Sequence, residues 1–93
     1  MIKSFSCKET AKIFGGEVSG KFPREIQQNA YEKLHAVNRA EDIFYLRIPP
    51  SNRLEKLTGK LRGFWSIRIN RQWRIVFKFE DGNASDVRIC DYH

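Results

Sequence analysis

The run of residues 63–90 restricts this chain most, because apolar side chains recur there at every second position in three successive stretches. Side chains alternate across a strand, so Trp65, Ile67 and Ile69 share one face. Trp73, Ile75, Phe77 and Phe79 share a face of the next stretch, and Val87 and Ile89 extend that set. Asp81-Gly82-Asn83 is a hairpin signal between the second and third stretches. The pattern predicts an antiparallel meander over 63–70, 72–80 and 84–90, with a continuous apolar face that a second layer has to cover.

The cover of matching length lies upstream. Ile26, Ala30, Leu34 and Val37 recur at helical spacing among Arg24, Glu25, Gln28, Glu32 and Lys33, and Pro23 suits a first helical position. This predicts a main amphipathic helix over 23–39. Before it, a brief strand at 2–5 is expected to run into a short helix. Ser6 and Glu9 form a capping-box pattern, and Ala11, Ile13 and Phe14 precede a stop at Gly15-Gly16. Pro49-Pro50 then marks a loop ahead of 53–57. The whole reads as one α+β domain, 1–93, with two N-terminal helices packed on one face of a small antiparallel sheet. Hydrophobic residues at 41% and charged residues at 30% exclude an intrinsically disordered chain.

Other classes also drop out. Cys7 and Cys90 form no CxxC pair, and with only His35 and His93 beside them there is no zinc set, so neither metal nor cofactor is expected. His35, in mid-helix, is read as a residue without chemistry. There is no basic-then-apolar leader and no membrane-length apolar run, which predicts a cytoplasmic protein with no membrane contact.

The face opposite the core carries Ser66, Arg68 and Asn70, then Arg74, Val76 and Lys78, then Arg88, Cys90 and Tyr92. It is basic and hydroxyl-rich, in a chain of net charge +6. One reading is a solvated sheet face that happens to be cationic. The other is a phosphate-binding surface, favoured because these strands place almost no carboxylate there to pair with the cations. Arginine forks grip phosphate with paired hydrogen bonds, and a shallow sheet suits a single RNA strand. The last three residues, Asp91-Tyr92-His93, can all transfer protons or hydrogen-bond.

Leu57-Thr58-Gly59, Gly63-Phe64-Trp65-Ser66-Ile67-Arg68-Ile69-Asn70, Gln72-Trp73-Arg74-Ile75-Val76-Phe77 and the closing Asp91-Tyr92-His93 together resemble the HigB toxins of the RelE/ParE superfamily. Met1-Ile2-Lys3-Ser4-Phe5 and Pro49-Pro50-Ser51-Asn52-Arg53-Leu54 are similar to that family's killer-protein branch, so the resemblance spans nearly the whole chain. It implies a RelE-like microbial ribonuclease fold and a type II toxin that cleaves messenger RNA in the 30S A site of the ribosome. It also implies a HigA-type helix-turn-helix antitoxin as partner, with operator DNA reached only through that antitoxin. Arg74 matches the family's sheet arginine, Arg68 lies near another basic position, and Asp91, Tyr92 and His93 match its C-terminal triplet. The chain departs from the family at Glu55, where some HigB toxins place a catalytic histidine, and at Thr58, where they place a lysine.

Metal-independent cleavage requires a base for the 2′-hydroxyl proton, cations around the phosphate and an acid for the leaving 5′-oxygen. The candidates are Glu55 or Asp91 as base, His93 as acid, Tyr92 as a stacking or orienting group, and Arg68 and Arg74 as charge stabilisers. Glu55 reads equally as a strand-edge carboxylate paired with Lys56 or Arg53. Ser66, Asn70, Lys78 and Arg88 are expected to touch RNA. Lys56, Lys60 and Arg62, around Gly59, are either solvated loop charges or contacts to ribosomal RNA. Two rival functions remain: a ParE-like toxin acting on DNA gyrase without cutting RNA, and a non-catalytic RNA- or antitoxin-binding module.

Overall fold

A computed structural model describes residues 1–91 and gives two α-helices followed by a four-stranded antiparallel sheet. The helices are α1 (Lys8–Phe14) and α2 (Arg24–Arg39), and the strands are β1 (Glu55–Lys56), β2 (Phe64–Arg68), β3 (Trp73–Glu80) and β4 (Asn83–Asp91), in that order across the sheet. Short 3-10 turns at Ile43–Arg47, Pro50–Asn52 and Gly59–Leu61 fill the connection from α2 to β2. The meander and its covering helix are thus those expected from the alternation.

The core forms where the two apolar patterns meet. Ala30, Leu34 and Val37 of α2 are fully buried against Ile67, Ile75, Phe77 and Val87 of the sheet, and Ile13 of α1 joins the same cluster. Two side chains of α2 also fasten it to the sheet layer: Asn29 donates from Nδ2 to the Ile69 carbonyl (2.7 Å), and Asn38 Oδ1 accepts from the Ile2 amide (2.8 Å). The tryptophans close the ends of the apolar face, Trp73 edge-on to Phe22 (5.6 Å) and Trp65 edge-on to Phe44 (6.3 Å). His35 stacks on Phe14 (4.4 Å) and lies tilted against Tyr31 (4.5 Å), with Nε2 3.0 Å from the Phe14 carbonyl.

Three local expectations need correction. The segment 2–5 pairs in parallel with β4 only at isolated bridges, Ile2 to Ala84 and Phe5 to Val87. Asp86 lies between those contacts at φ +51°, where the β3–β4 register shifts at Val76/Lys78, so a regular ladder cannot continue. The capping box does not form: Cys7, not Ser6, is the cap residue of α1. The Ser6 hydroxyl reaches back to the Asp86 carbonyl (3.3 Å), while Glu9 accepts from the Ser19 hydroxyl (2.6 Å) and pairs with Lys12 (3.1 Å). Pro23 is the residue before the first helical turn rather than its first member.

The loop between the helices is closed by a buried amide. Gln27 Oε1 accepts from the Ser19 amide (2.9 Å), and Nε2 donates to the Ser19 and Phe22 carbonyls (both 2.8 Å). Every polar end of that side chain is therefore satisfied away from water.

Two stability predictions follow from these contacts. Leu34→Ala, at a fully buried position, should lower unfolding free energy by about 2–5 kcal/mol, read as an earlier midpoint in urea at unchanged slope. The hydrogen bond from Ser19, followed by that from Lys12, holds the Glu9 carboxyl below its ordinary value of 4.5. A carboxyl depressed in the folded state contributes stability above its unfolded value and loses it as pH falls through the folded value. Glu9→Gln should therefore show a shallower loss of stability between about pH 5 and pH 3 than the parent chain.

Candidate nucleic-acid interface

Among the described residues neither α-helix packs on the second face of the sheet, which the 46–53 loop covers in part so that Ser66 and Val76 are buried, and the strand register decides which side chains meet on it. Arg68 lies directly opposite Arg74, and Arg74 directly opposite Cys90. The adjoining row runs Glu55, Ser66, Val76, Arg88 across all four strands. Cross-strand partners have Cβ atoms about 5 Å apart, so Arg68 and Arg74 are immediate neighbours of like charge. Such a pair opposes folding and favours an anion placed between its members.

Arg74 is the most confined of these cations, with 8% of its surface exposed. Its Nη1 donates to the Ser66 hydroxyl (2.6 Å) and to the Arg53 carbonyl (3.4 Å), while Nη2 lies 3.9 Å from Glu55 Oε2. Arg53 turns its carbonyl this way from a left-handed backbone conformation, φ +46°. The buried Asn52 anchors that turn, donating from Nδ2 to the Leu46 (3.1 Å) and Ile48 (3.3 Å) carbonyls and accepting from Lys33 of α2. A chain of contacts therefore runs from α2 through the 46–53 loop to the guanidinium of Arg74.

The other cations are less constrained. Arg68 Nε donates to the Asn70 carbonyl (3.0 Å), and Arg88 Nε approaches Cys90 Sγ (3.1 Å), so both guanidinium groups stay near the sheet surface. Lys78 lies over the Phe64 ring (5.2 Å) and pairs with Asp86 (3.6 Å).

Several expectations change against this geometry. The face is less poor in carboxylate than the alternation implied, because the register shift brings Asp86 to Lys78 and the two-residue β1 brings Glu55 to Arg74. Glu55 pairs with Arg74, not with Lys56 or Arg53. Ser66 is fully buried with its hydroxyl taken by Arg74, so it supports that arginine rather than touching a ligand. Asn70 uses its Oδ1 to accept the Gln72 and Trp73 amides (2.9 and 2.8 Å) and shapes the β2–β3 turn. Lys56, paired across from Trp65 and 5.6 Å above its ring, belongs to the helix side of the sheet. Lys60 and Arg62 are exposed in the turn before β2, away from the arginine rows. Asp91 sits opposite Trp73 and accepts from Gln72 Nε2 (3.1 Å), which puts it at the sheet's end on the helix side. Tyr92 and His93 lie outside the described residues. Among the described residues, no cluster of histidine, cysteine and carboxylate groups is arranged for a metal, and no helix is long and apolar enough to cross a membrane.

Comparison with known proteins gives this surface a context. The chain is 44% identical to Toxin HigB-1 of Vibrio cholerae over 62 residues, 67% of this chain and 65% of that protein. It is 33% identical to the Endoribonuclease HigB of Proteus vulgaris over the full length of both. Among solved structures, the YoeB–YefM toxin–antitoxin complex of Staphylococcus aureus contains a chain matched at TM-score 0.62 with 23% identity, covering 100% of this chain and 95% of that one. A YafQ mutant from E. coli matches at TM-score 0.66 with 12% identity, covering 98% and 91%. These two likenesses establish a shared fold. A family model described as "RelE-like toxin of type II toxin-antitoxin system HigB" matches residues 3–93, and the chain is a member of that HigB-like toxin family.

Proposed function

We propose that this toxin is a ribosome-dependent endoribonuclease that cuts messenger RNA in the A site by metal-independent attack of the 2′-hydroxyl, and that a HigA-type antitoxin restrains it. The observation that carries this reading is the register that sets Arg68 directly beside Arg74 on the sheet face left open by the helices. Two adjacent guanidinium groups with no structural need for each other fit a phosphate that gains negative charge as the 2′-oxygen attacks. The full-length likeness to a protein named for endoribonuclease activity supports the same reading.

In this mechanism Glu55, on the open face beside Arg74, accepts the 2′-hydroxyl proton. Arg68 and Arg74 hold the pentacoordinate phosphate, and Arg88 extends the cationic track along the strand. His93 returns a proton to the leaving 5′-oxygen, with Tyr92 stacking on or orienting the nucleotide. Asp91, the other candidate for the base, lies on the other side of the sheet's end, where it accepts from Gln72. The exposed Lys60 and Arg62 contact ribosomal RNA. Operator DNA is engaged only by the antitoxin.

Primer extension on messages translated in an extract tests the proposal. Cuts should appear only when ribosomes are present. Arg74→Ala should slow cleavage about 10²–10³-fold. His93→Ala and Glu55→Gln should each abolish one limb of the pH–rate profile, while Asp91→Asn should lower the rate without removing a limb. Messages left intact by the parent protein would overturn the nuclease and point to a gyrase-directed or purely binding toxin.

Charge supplies a second test. Affinity for a short single-stranded RNA, followed by fluorescence anisotropy, should fall linearly with the logarithm of salt concentration. Arg68→Ala or Arg88→Ala should each reduce that slope by about 0.7. An affinity flat with salt would remove the phosphate-binding role from this face.

A further inference from the structure

We infer that Phe64 is a base-stacking residue of this face: its ring receives the base of a nucleotide that flanks the scissile phosphate, while Lys78 receives the phosphate of that same nucleotide. The inference rests on the nuclease reading above and adds to it a site for the strand beyond the bond that is cut.

Alternation puts Phe64 on the same side of β2 as Ser66 and Arg68, and the register sets it directly opposite Lys78. The cationic face therefore carries a half-buried aromatic ring. Among the described residues, Phe64 is not one of the partly buried side chains packed against the helix-side core. Each of the other six phenylalanines of the chain meets another aromatic ring. Among the described residues no ring lies against Phe64, whose face is met instead by the Lys78 ammonium, 5.2 Å from the centroid.

A nucleotide offers each member of this pair a partner. The ring quadrupole that attracts the ammonium leaves a flat π-surface, on which any base can stack. Lys78 is free to yield that position, because its ion pair with Asp86 (3.6 Å) joins two side chains that are each about half exposed and screened by water. A phosphate arriving with the base gives Lys78 a second anion, and Asp86 returns to solvent. The ring itself has no need to move. Strand β2 is paired on both edges, and the Phe64 carbonyl accepts from the Leu57 amide (2.9 Å).

Position along β2 decides which nucleotide this is. Phe64 is four residues from Arg68, about 13 Å at the rise of a strand, so its base belongs to a nucleotide outside the one held at the arginine row. Stacking there favours no particular base, since every base presents a face; it fixes the path of the strand.

Fluorescence anisotropy with two strands of equal length tests this, one a single-stranded RNA and the other a ribose-phosphate strand without bases. The parent protein should bind the RNA at least about 10-fold more tightly than the abasic strand. Phe64→Leu should cut that preference about 5-fold or more while leaving affinity for the abasic strand within about 2-fold, and Phe64→Trp should keep the preference. Lys78→Met should instead weaken binding of both strands and lower the salt slope by about 0.7. Phe64→Met gives the same reading should the leucine variant fold poorly. An unchanged preference in Phe64→Leu, or an equal loss on both strands, would overturn the inference and leave Phe64 a packing residue. A parent protein that binds neither strand would overturn RNA binding at this face as a whole. The expected preference in a protein that leaves translated messages intact would support the stacking and overturn the nuclease reading alone.

Discussion

Strand β3 is hydrogen-bonded on both edges and packed under a helix on one side only, with the 46–53 loop meeting Arg74 on the other, and the rest of the molecule follows from that asymmetry. Ile75 and Phe77 have no exposure, so the side of β3 that carries them needs a layer of matching apolar surface. Helix α2 supplies it, and α1 with the loop closed by Gln27 fills the space beside it. The other side of β3 carries Arg74 and Val76, nearly buried, and is where the candidate site lies. The proposed function occupies the face that the helices do not cover.

That open face is arranged against its own stability. Arg68 and Arg74 stand opposite each other in like charge, and Arg74 is nearly buried as well. A buried guanidinium is tolerated only when its donors are met, and here a serine hydroxyl, a loop carbonyl and a more distant carboxylate contribute. The loop carbonyl is itself located by Asn52 and, through it, by Lys33 of α2. The helical layer thus helps to set the position of a group on the far side of the sheet, so rigidity gained in the core reaches the proposed site.

The large-scale plan was legible because it rests on periodicities that survive any tertiary context. The spacing of Ile26, Ala30, Leu34 and Val37 had one helical solution, and the alternation around Ile67, Ile75 and Ile89 had one meander consistent with Asp81-Gly82-Asn83. Family membership was legible for a different reason, in the literal strings around Ser66–Asn70 and Gln72–Phe77. What escaped were features of one or two residues. β1 is two residues long and carries no alternation, so the ion pair of Glu55 with Arg74 could not be foreseen. The displacement at Asp86 depends on a single left-handed residue, and it alone brings a carboxylate to Lys78. Ser66 looked like a ligand contact because alternation reports the face of a side chain, not whether a larger neighbour has already covered it. Asp91 was a candidate base because the terminal motif was read as a unit, whereas adjacent residues of a strand point to opposite sides and the register puts Asp91 on the helix side, across from Trp73.

The two borders of the sheet add a last property. On one side β1 offers only two residues. On the other, the backbone of residues 1–6 covers β4 through bonds between Lys3 and the Ala84 carbonyl (2.7 Å), Ala84 and Met1 (2.9 Å), Ser6 and Val87 (3.0 Å), and Val87 and Ser4 (3.1 Å). Exposed strand borders are templates for another chain's backbone and a common route to self-association. Among the described residues neither border presents a long unpaired run, so sheet extension through them is a poor route to dimers or fibrils. A partner that engages the described residues therefore meets side chains on a surface more than free strand backbone.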